Sequence, residues 1–326
     1  MPRRLGFQVE KWPISGAFTI SRGAKTEAVV LVAEISDGSM AGRGECVPYG
    51  RYGESLESAS RQIEQATAAI EAGAGREQLQ ALLPPGAARN ALDCALWDLE
   101  AKLTGQSAAA LAGLATLQPA TTAYTLSLDT PEAMAQAAKR SARPILKLKL
   151  GSGGDAERLL AVRAAAPGAV LIADANEGWS EHSLVENLRV CAEVNVALVE
   201  QPLPADRDDL LRTIERSVPV CADESFHDRS SFEKIDGKYD AVNIKLDKTG
   251  GLTEALLVAA EAERRGLILM IGCMVSTSLA MAPAMLLASR AKFIDLDGPL
   301  LLARDRGNGL RYEGSTAFPP TSALWG

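Results

Sequence analysis

The chain has 326 residues, 47% of them hydrophobic and 23% charged, with a formal net charge of −7. These are the proportions of an ordinary globular protein, and the acidic balance argues against nucleic acid or an anionic membrane as the main partner. No segment offers the roughly 18 unbroken apolar residues of a membrane span, and no apolar run follows the basic start Met1-Pro-Arg-Arg4, so a cytoplasmic protein is expected. Cys46, Cys94, Cys191, Cys221 and Cys273 form no CxxC pair and lie mostly in apolar runs, which predicts buried free thiols in a reducing compartment.

Residues 1–115 read as an α+β unit. The β-rich run Ala28-Val-Val-Leu-Val-Ala-Glu-Ile35 is followed by the turn Asp37-Gly38. Helical patterns follow at about 54–72 and 89–104; in the second, Leu92, Ala95, Leu96, Leu99 and Leu103 recur at helical spacing and Gly105 is a natural stop. Pro84-Pro85-Gly86 punctuates two helices of that unit.

From Ala123 the period changes. Strand-like runs near 122–127, 145–150, 170–174, 196–200, 218–223, 240–245, 267–272 and 292–297 alternate with Ala/Leu/Arg-rich helical stretches. Eight strands with intervening helices predict a closed parallel barrel over 116–302 rather than an open doubly wound sheet. Gly151-Ser-Gly-Gly154 lacks the lysine and serine of a P-loop, so no nucleotide site is expected there. Residues 303–326 are expected to return to the first domain.

Asp174, Glu200 and Asp223 each stand just past a short apolar run, and Lys245 ends the next. The intervals are 26, 23 and 22 residues (174 to 200, 200 to 223, 223 to 245), about the chain needed for one βα unit. Polar groups at the C-terminal ends of successive barrel strands converge on one mouth. Any one carboxylate alone reads equally well as a helix N-cap. Three in succession do not. Clustered acids repel one another unless a cation neutralises them, and hard oxygen donors without nearby His or Cys favour Mg²⁺ or Mn²⁺ over zinc. His182 and His227, at apparent helix starts, are expected on the surface.

Lys147 and Lys149, two apart on one strand, share a face, while Leu146, Leu148 and Leu150 occupy the other. The lysines therefore point into the barrel, where desolvation and mutual repulsion are expected to lower their pKa. Lys245 is expected across the barrel from them. Lys248, in the following loop, is the weaker candidate because nothing in the sequence fixes it inward. Asp295 and Asp297 repeat the alternate spacing on the eighth run and would suit a cationic substrate group, or form a buried ion pair with Lys245.

Taken together, Lys147-x-Lys149, Asp174-Ala-Asn, Glu200-Gln-Pro, Asp223-Glu-Ser, Asn243-Ile-Lys-Leu-Asp-Lys-Thr-Gly-Gly251 and Asp295-Leu-Asp-Gly-Pro299 resemble the enolase superfamily, muconate-lactonizing subgroup. Gly44-Glu-Cys46, Arg51-Tyr-Gly-Glu-Ser55 and the run Arg89 to Leu99 extend the likeness over nearly the whole chain. Within the subgroup the pattern is most similar to dipeptide epimerases acting on L-Ala-D/L-Glu. The resemblance implies a modified (β/α)7β TIM-type barrel under an N-terminal α+β capping domain, and one Mg²⁺ per subunit, with Mn²⁺ as a substitute. It implies Asp174, Glu200 and Asp223 as metal ligands, and Lys149 and Lys245 as the acid/base pair, serving the (R)- and (S)-centres respectively. Lys147, Thr125, Cys273, Val275, Asp295 and Asp297 would bind substrate, the aspartates holding an α-ammonium. Arg22 or Lys25, in the capping loop, would meet a glutamyl carboxylate.

The implied reaction is a 1,1-proton transfer at the C-terminal residue of a dipeptide through a metal-stabilised enediolate, in murein peptide recycling, by a homo-oligomer. An o-succinylbenzoate synthase or muconate cycloisomerase shares the lysines and metal, but its substrate has no ammonium for the aspartates to read. An epimerase of other dipeptides and a catalytically silent binding barrel are the remaining alternatives.

Overall fold

In the computed structural model, which describes residues 2–151 and 153–326, the chain forms an antiparallel sheet with helices beside an eight-stranded parallel barrel. Met1 and Ser152, the latter inside the glycine-rich stretch, lie outside the described residues. The N-terminal sheet contains Arg4–Ile20, Gly23–Asp37 and Met40–Cys46, in that order. Three helices accompany it: Leu56–Glu71, Arg76–Leu82 and Ala87–Thr104. The first and last match the sequence periodicity. The middle one was not expected, because seven residues are too few to develop a helical pattern.

All eight expected barrel runs form strands. In order they are Tyr124–Leu126, Ile145–Lys149, Val170–Asp174, Val196–Glu200, Val220–Ala222, Ala241–Ile244, Ile268–Ile271 and Phe293–Ile294. Neighbours pair in parallel, and the amide of Ala123 donates to the Ile294 carbonyl at 2.8 Å, joining the eighth strand back to the first. The eighth strand is two residues long, so Asp295 and Asp297 stand beyond it, although Asp295 N still donates to Ile271 O at 2.8 Å.

The alternation of strand side chains sets the barrel's layers. Ala123, Ile172, Leu198, Cys221, Ala241, Met270 and Phe293 form an apolar cluster inside the barrel, with Ile145 packed against it. Two residues further along each strand, on the same face, come Thr125, Lys147, Asp174, Glu200, Asp223, Asn243, Gly272 and Asp295. An apolar floor thus lies beneath a polar mouth. The opposite face packs on the helices: Leu146, Leu148 and Leu150 are fully buried, each contributing about 1.5–3 kcal/mol.

The C-terminal segment bonds to both units. Trp325 Nε1 donates to Cys94 O and Gly326 N to Asp98 Oδ1, while the hairpin Tyr312–Glu313/Thr316–Ala317 pairs with Ala120–Thr121 just before the barrel. A second joint pins the loop after the sixth barrel strand. Asp247 Oδ1 accepts from Val47 N and Asn90 Nδ2 at 3.0 and 2.9 Å, and Arg89 donates to the carbonyls of Thr249 and Gly250.

Candidate active site

The barrel mouth and the N-terminal sheet enclose a cavity of about 600 Å³. Its walls include Thr125, Lys147, Lys149, Asp223, Lys245, Cys273, Val275, Asp295 and Asp297 from the barrel, with Phe18, Arg22, Lys25, Tyr49 and Tyr52 from the capping side. Asp174 and Glu200 are fully buried beneath.

Register brings the charges together. Lys149 pairs laterally with Asp174, and Asp174 with Glu200, on adjacent strands. Lys149 Nζ donates to Asp174 Oδ2 at 2.6 Å, and Lys245 Nζ to Asp223 Oδ2 at 2.6 Å. The two lysines reach the cavity from the second and sixth of eight strands, on opposite walls. Lys147 Nζ lies 2.7 Å from both Asp295 Oδ2 and Glu200 Oε2, and 3.2 Å from Asp174 Oδ2.

Several expectations need correction. Asp295 pairs with Lys147 and not with Lys245, because the barrel closes the eighth strand against the first and brings the second within reach. Burial alone would depress the Lys147 ammonium, but the carboxylates of Asp295, Glu200 and Asp174 outweigh it and hold its pKa well above the ordinary value. Lys245 is likewise raised, burial being overcome by Asp223 and Glu200. Lys248 is fully buried and turned inward, donating to Asp223 Oδ1 at 2.6 Å and to the carbonyls of Asp223 and Asn243. The cause is tertiary: Asp247, beside it, is anchored to the capping domain. His182 is exposed as expected, but His227 is not a free surface residue. It packs edge-on against Tyr52 and its Nε2 lies 3.2 Å from Glu224 O, and burial with nearby Lys248 lowers its pKa to about 4.

Arg22 lines the cavity, but its guanidinium is already paired. Its guanidinium donates to Glu224 Oε1 at 2.7 Å, Glu177 Oε2 at 3.2 Å, Asn176 O and Tyr49 OH. Lys25 makes no salt bridge among the described residues and lies 5.3 Å from the Tyr49 ring centroid. Asn243 escaped the sequence reading, yet its position two before Lys245 put it on the interior face; its Nδ2 donates to Glu200 Oε1 at 2.7 Å. Gln201 also escaped. Its Oε1 accepts from the amides of Asp223 and Ser225, tying two carboxylate-bearing strand ends together.

Among the described residues no three His, Cys, Asp or Glu side chains form a closed ligand cluster, and lysine ammonium groups face the acids instead. The donor set nonetheless fits a hard divalent cation. Glu200 Oε2 is buried and faces the Lys147 ammonium at 2.7 Å without a further hydrogen bond. Burial and the nearby Asp174 charge raise Glu200 to about 7, marking a site short of positive charge. Asp174, buried but paired with Lys149 and Lys147, is held at about 2.

The far wall has a similar deficit. Asp297 Oδ2 accepts from Thr125 N at 2.6 Å, and burial with the Asp295 charge raises Asp297 to about 7. Asp295 Oδ1 is buried with no partner. This carboxylate pair is short of one cation or donor.

A parallel barrel capped by an antiparallel sheet, with lysines and acids at its mouth, defines an enolase-type isomerase site. The chain belongs to the enolase superfamily: residues 5–113 match the mandelate racemase/muconate lactonizing enzyme N-terminal domain and residues 130–303 the enolase C-terminal domain-like family. It is 46% identical over 306 residues to the L-Ala-D/L-Glu epimerase of Escherichia coli K12, covering 93% of this chain and 95% of that protein. It is 44% identical over 301 residues to an N-acetyl-D-glutamate racemase of Pseudoalteromonas, covering 91% and 95%. Among solved structures, an Agrobacterium tumefaciens enolase family member with homology to dipeptide epimerases, bound to sodium and L-Ala-L-Glu, superposes with a TM-score of 0.98 at 53% identity over 100% of both chains. An Enterococcus faecalis dipeptide epimerase complexed with Mg and L-Leu-L-Tyr gives 0.91 at 28% identity, covering 98% and 97%.

Proposed function

We propose that this protein epimerises the C-terminal residue of L-Ala-D/L-Glu by 1,1-proton transfer. The observation that carries the reading is the placing of Lys149 and Lys245 on opposite cavity walls, with Asp295 and Asp297 lining the same cavity and Asp295 Oδ1 buried without a partner. A single α-carbon between two lysine-bearing strands can lose its proton to a neutral amine on one face and regain one from the ammonium on the other.

Asp174, Glu200 and Asp223 would hold a divalent cation, Mg²⁺ in our reading. When bound, it supplies Lewis-acid stabilisation of the charge that develops on the substrate carboxylate. Lys149 Nζ takes or returns the α-proton of the (R)-centre and Lys245 Nζ that of the (S)-centre. Asp174 and Asp223 orient these amines through the 2.6 Å hydrogen bonds. Asp295 Oδ1 and Asp297 receive the dipeptide's ammonium, and Thr125 fixes Asp297 through its amide. Lys147 sits beside the substrate carboxylate, Cys273 and Val275 line the N-terminal side-chain pocket, and Lys25 rather than Arg22 reads the glutamyl carboxylate. The same proposal has a capping unit of residues 1–115 and 303–326, a barrel of 116–302, self-association, and a cytoplasmic role in murein peptide recycling.

The racemase relative favours one second reading, in which the substrate is N-acetylglutamate and no ammonium is present. Incubation with Mg²⁺ in D₂O, followed by mass spectrometry, separates the two. Deuterium should enter L-Ala-D-Glu and L-Ala-L-Glu far faster than N-acetyl-D-glutamate; the reverse order would replace the dipeptide reading.

A further inference from the structure

We infer that Glu177 is a positioning residue, a clamp that holds two capping-domain loops closed on the barrel through Arg22 and Arg51. Glu177 follows the third barrel strand, three residues past Asp174. Its carboxylate accepts from Arg51 Nε at 2.7 Å and Arg51 Nη2 at 2.6 Å, from Arg22 Nη1 at 3.2 Å, and from the amide of Ala205 at 2.9 Å. One side chain thus joins both capping loops to two barrel loops. It is only 9% exposed, and a bidentate arginine–carboxylate pair is among the stronger charge-assisted contacts.

The backbone supports the same conclusion independently. Asn176 and Glu177 both lie in the left-handed region, at φ 45° and 66°, where a non-glycine residue persists only when its surroundings hold it. The turn this makes presents Asn176 O to Ser21 Oγ at 3.1 Å and to Arg22 Nη1 at 2.7 Å.

The capping strap around 17–22 also rests on the loop after the first barrel strand, where Thr19 O accepts from Leu128 N at 3.0 Å. At Gly151 a Cβ would stand 2.9 Å from that of Ser21, and at Gly178 a Cβ would stand 2.4 Å from Gly151 Cα. The glycine at 151, in the stretch that lacks P-loop chemistry, is therefore part of the seat on which the strap closes.

Charge explains why the clamp needs a carboxylate. Arg22 and Arg51 converge on Glu177, so removing its charge leaves two guanidiniums facing each other. The strap would loosen where these two arginines fasten it. The clamp itself does not depend on which substrate the cavity takes.

The test is Glu177→Gln, isosteric and neutral, in the full chain. Hydrogen–deuterium exchange in residues 17–26 and 48–53 should speed by about tenfold or more, the ratio expected for losing a hydrogen bond to a charged group, with exchange in the barrel strands unchanged. KM for L-Ala-L-Glu should rise by a similar factor while kcat changes far less, and Glu177→Gln/Arg51→Gln should be no worse than either single variant. Wild-type exchange and KM in the variant would overturn the clamp, as would a uniform rise in exchange over the whole chain with KM unchanged. Strap release in the variant without dipeptide turnover by the wild type would support the clamp and overturn the proposed substrate instead.

Discussion

Lys248 donates to Asp223 Oδ1 at 2.6 Å while Lys245 holds Oδ2 at the same distance, so one buried carboxylate carries two ammonium groups. Burial lowers the pKa of Lys248 despite Asp223, whereas Asp223 is pulled well below the carboxylate range by the two lysines against its own burial. Lys248→Met should therefore cost stability, about 3–5 kcal/mol, because a buried charge loses one partner. Urea unfolding of the two proteins measures it; a loss under about 1 kcal/mol would make Lys248 dispensable to the fold.

Glu200→Gln should leave the fold intact and abolish turnover. Because Glu200 is raised to about 7, the neutral amide removes a charge the metal-free site holds poorly, and thermal stability without metal should be equal or higher. Calorimetric titration with Mg²⁺ should show binding in the wild type and none in the variant. Full activity after exhaustive chelation would remove the metal from the proposal.

Lys149→Ala and Lys245→Ala should each stop epimerisation while leaving one-sided exchange. In D₂O the Lys149 variant should label only the (S)-epimer, and the Lys245 variant only the (R)-epimer, read by mass spectrometry of the separated isomers. Equal labelling of both epimers by either variant would exclude a base on each face.

Asp297→Asn should raise KM for Ala-Glu by about tenfold or more, since one carboxylate of the pair that meets the ammonium loses its charge. N-acetyl-Ala-Glu should be a poor substrate for the wild type. If acetylation left kcat/KM unchanged, the unpartnered Asp295 Oδ1 would be serving another donor, and the N-acetylglutamate reading would gain.

Asp247, beside Lys248, gives a pH dependence of stability. Burial raises it to about 7, against hydrogen bonds from Val47 N and Asn90. The folded state then binds its proton more tightly than the unfolded chain, so the associated stability is complete below about pH 4 and disappears as pH rises through about 7. Asp247→Asn should gain on the wild type over that window by on the order of a few kcal/mol, measured as the difference between their unfolding free energies at pH 4.5 and 8. A difference independent of pH would mean that Asp247 is ionised at ordinary carboxylate pH.

The strand order, the eight barrel runs and the interior placing of Lys147, Lys149, Asp174, Glu200, Asp223 and Lys245 were legible because they follow from alternation along single strands and from regular βα intervals. Asn243 was open to the same reasoning. Lys248 was not: its direction depends on Asp247 reaching Val47 and Asn90, some 200 and 157 residues away. The partner of Asp295 likewise depended on barrel closure, which sets Lys147 rather than Lys245 beside it. Arg22 and Lys25 looked alike in the sequence as two cations of one loop. Both line the cavity, and only the fold, by bringing Glu177 and Glu224 to Arg22, separated the paired arginine from the lysine that makes no salt bridge among the described residues. Local periodicity determines which face a side chain takes; which charge it meets is decided by segments far apart in sequence, through contacts that no local pattern encodes.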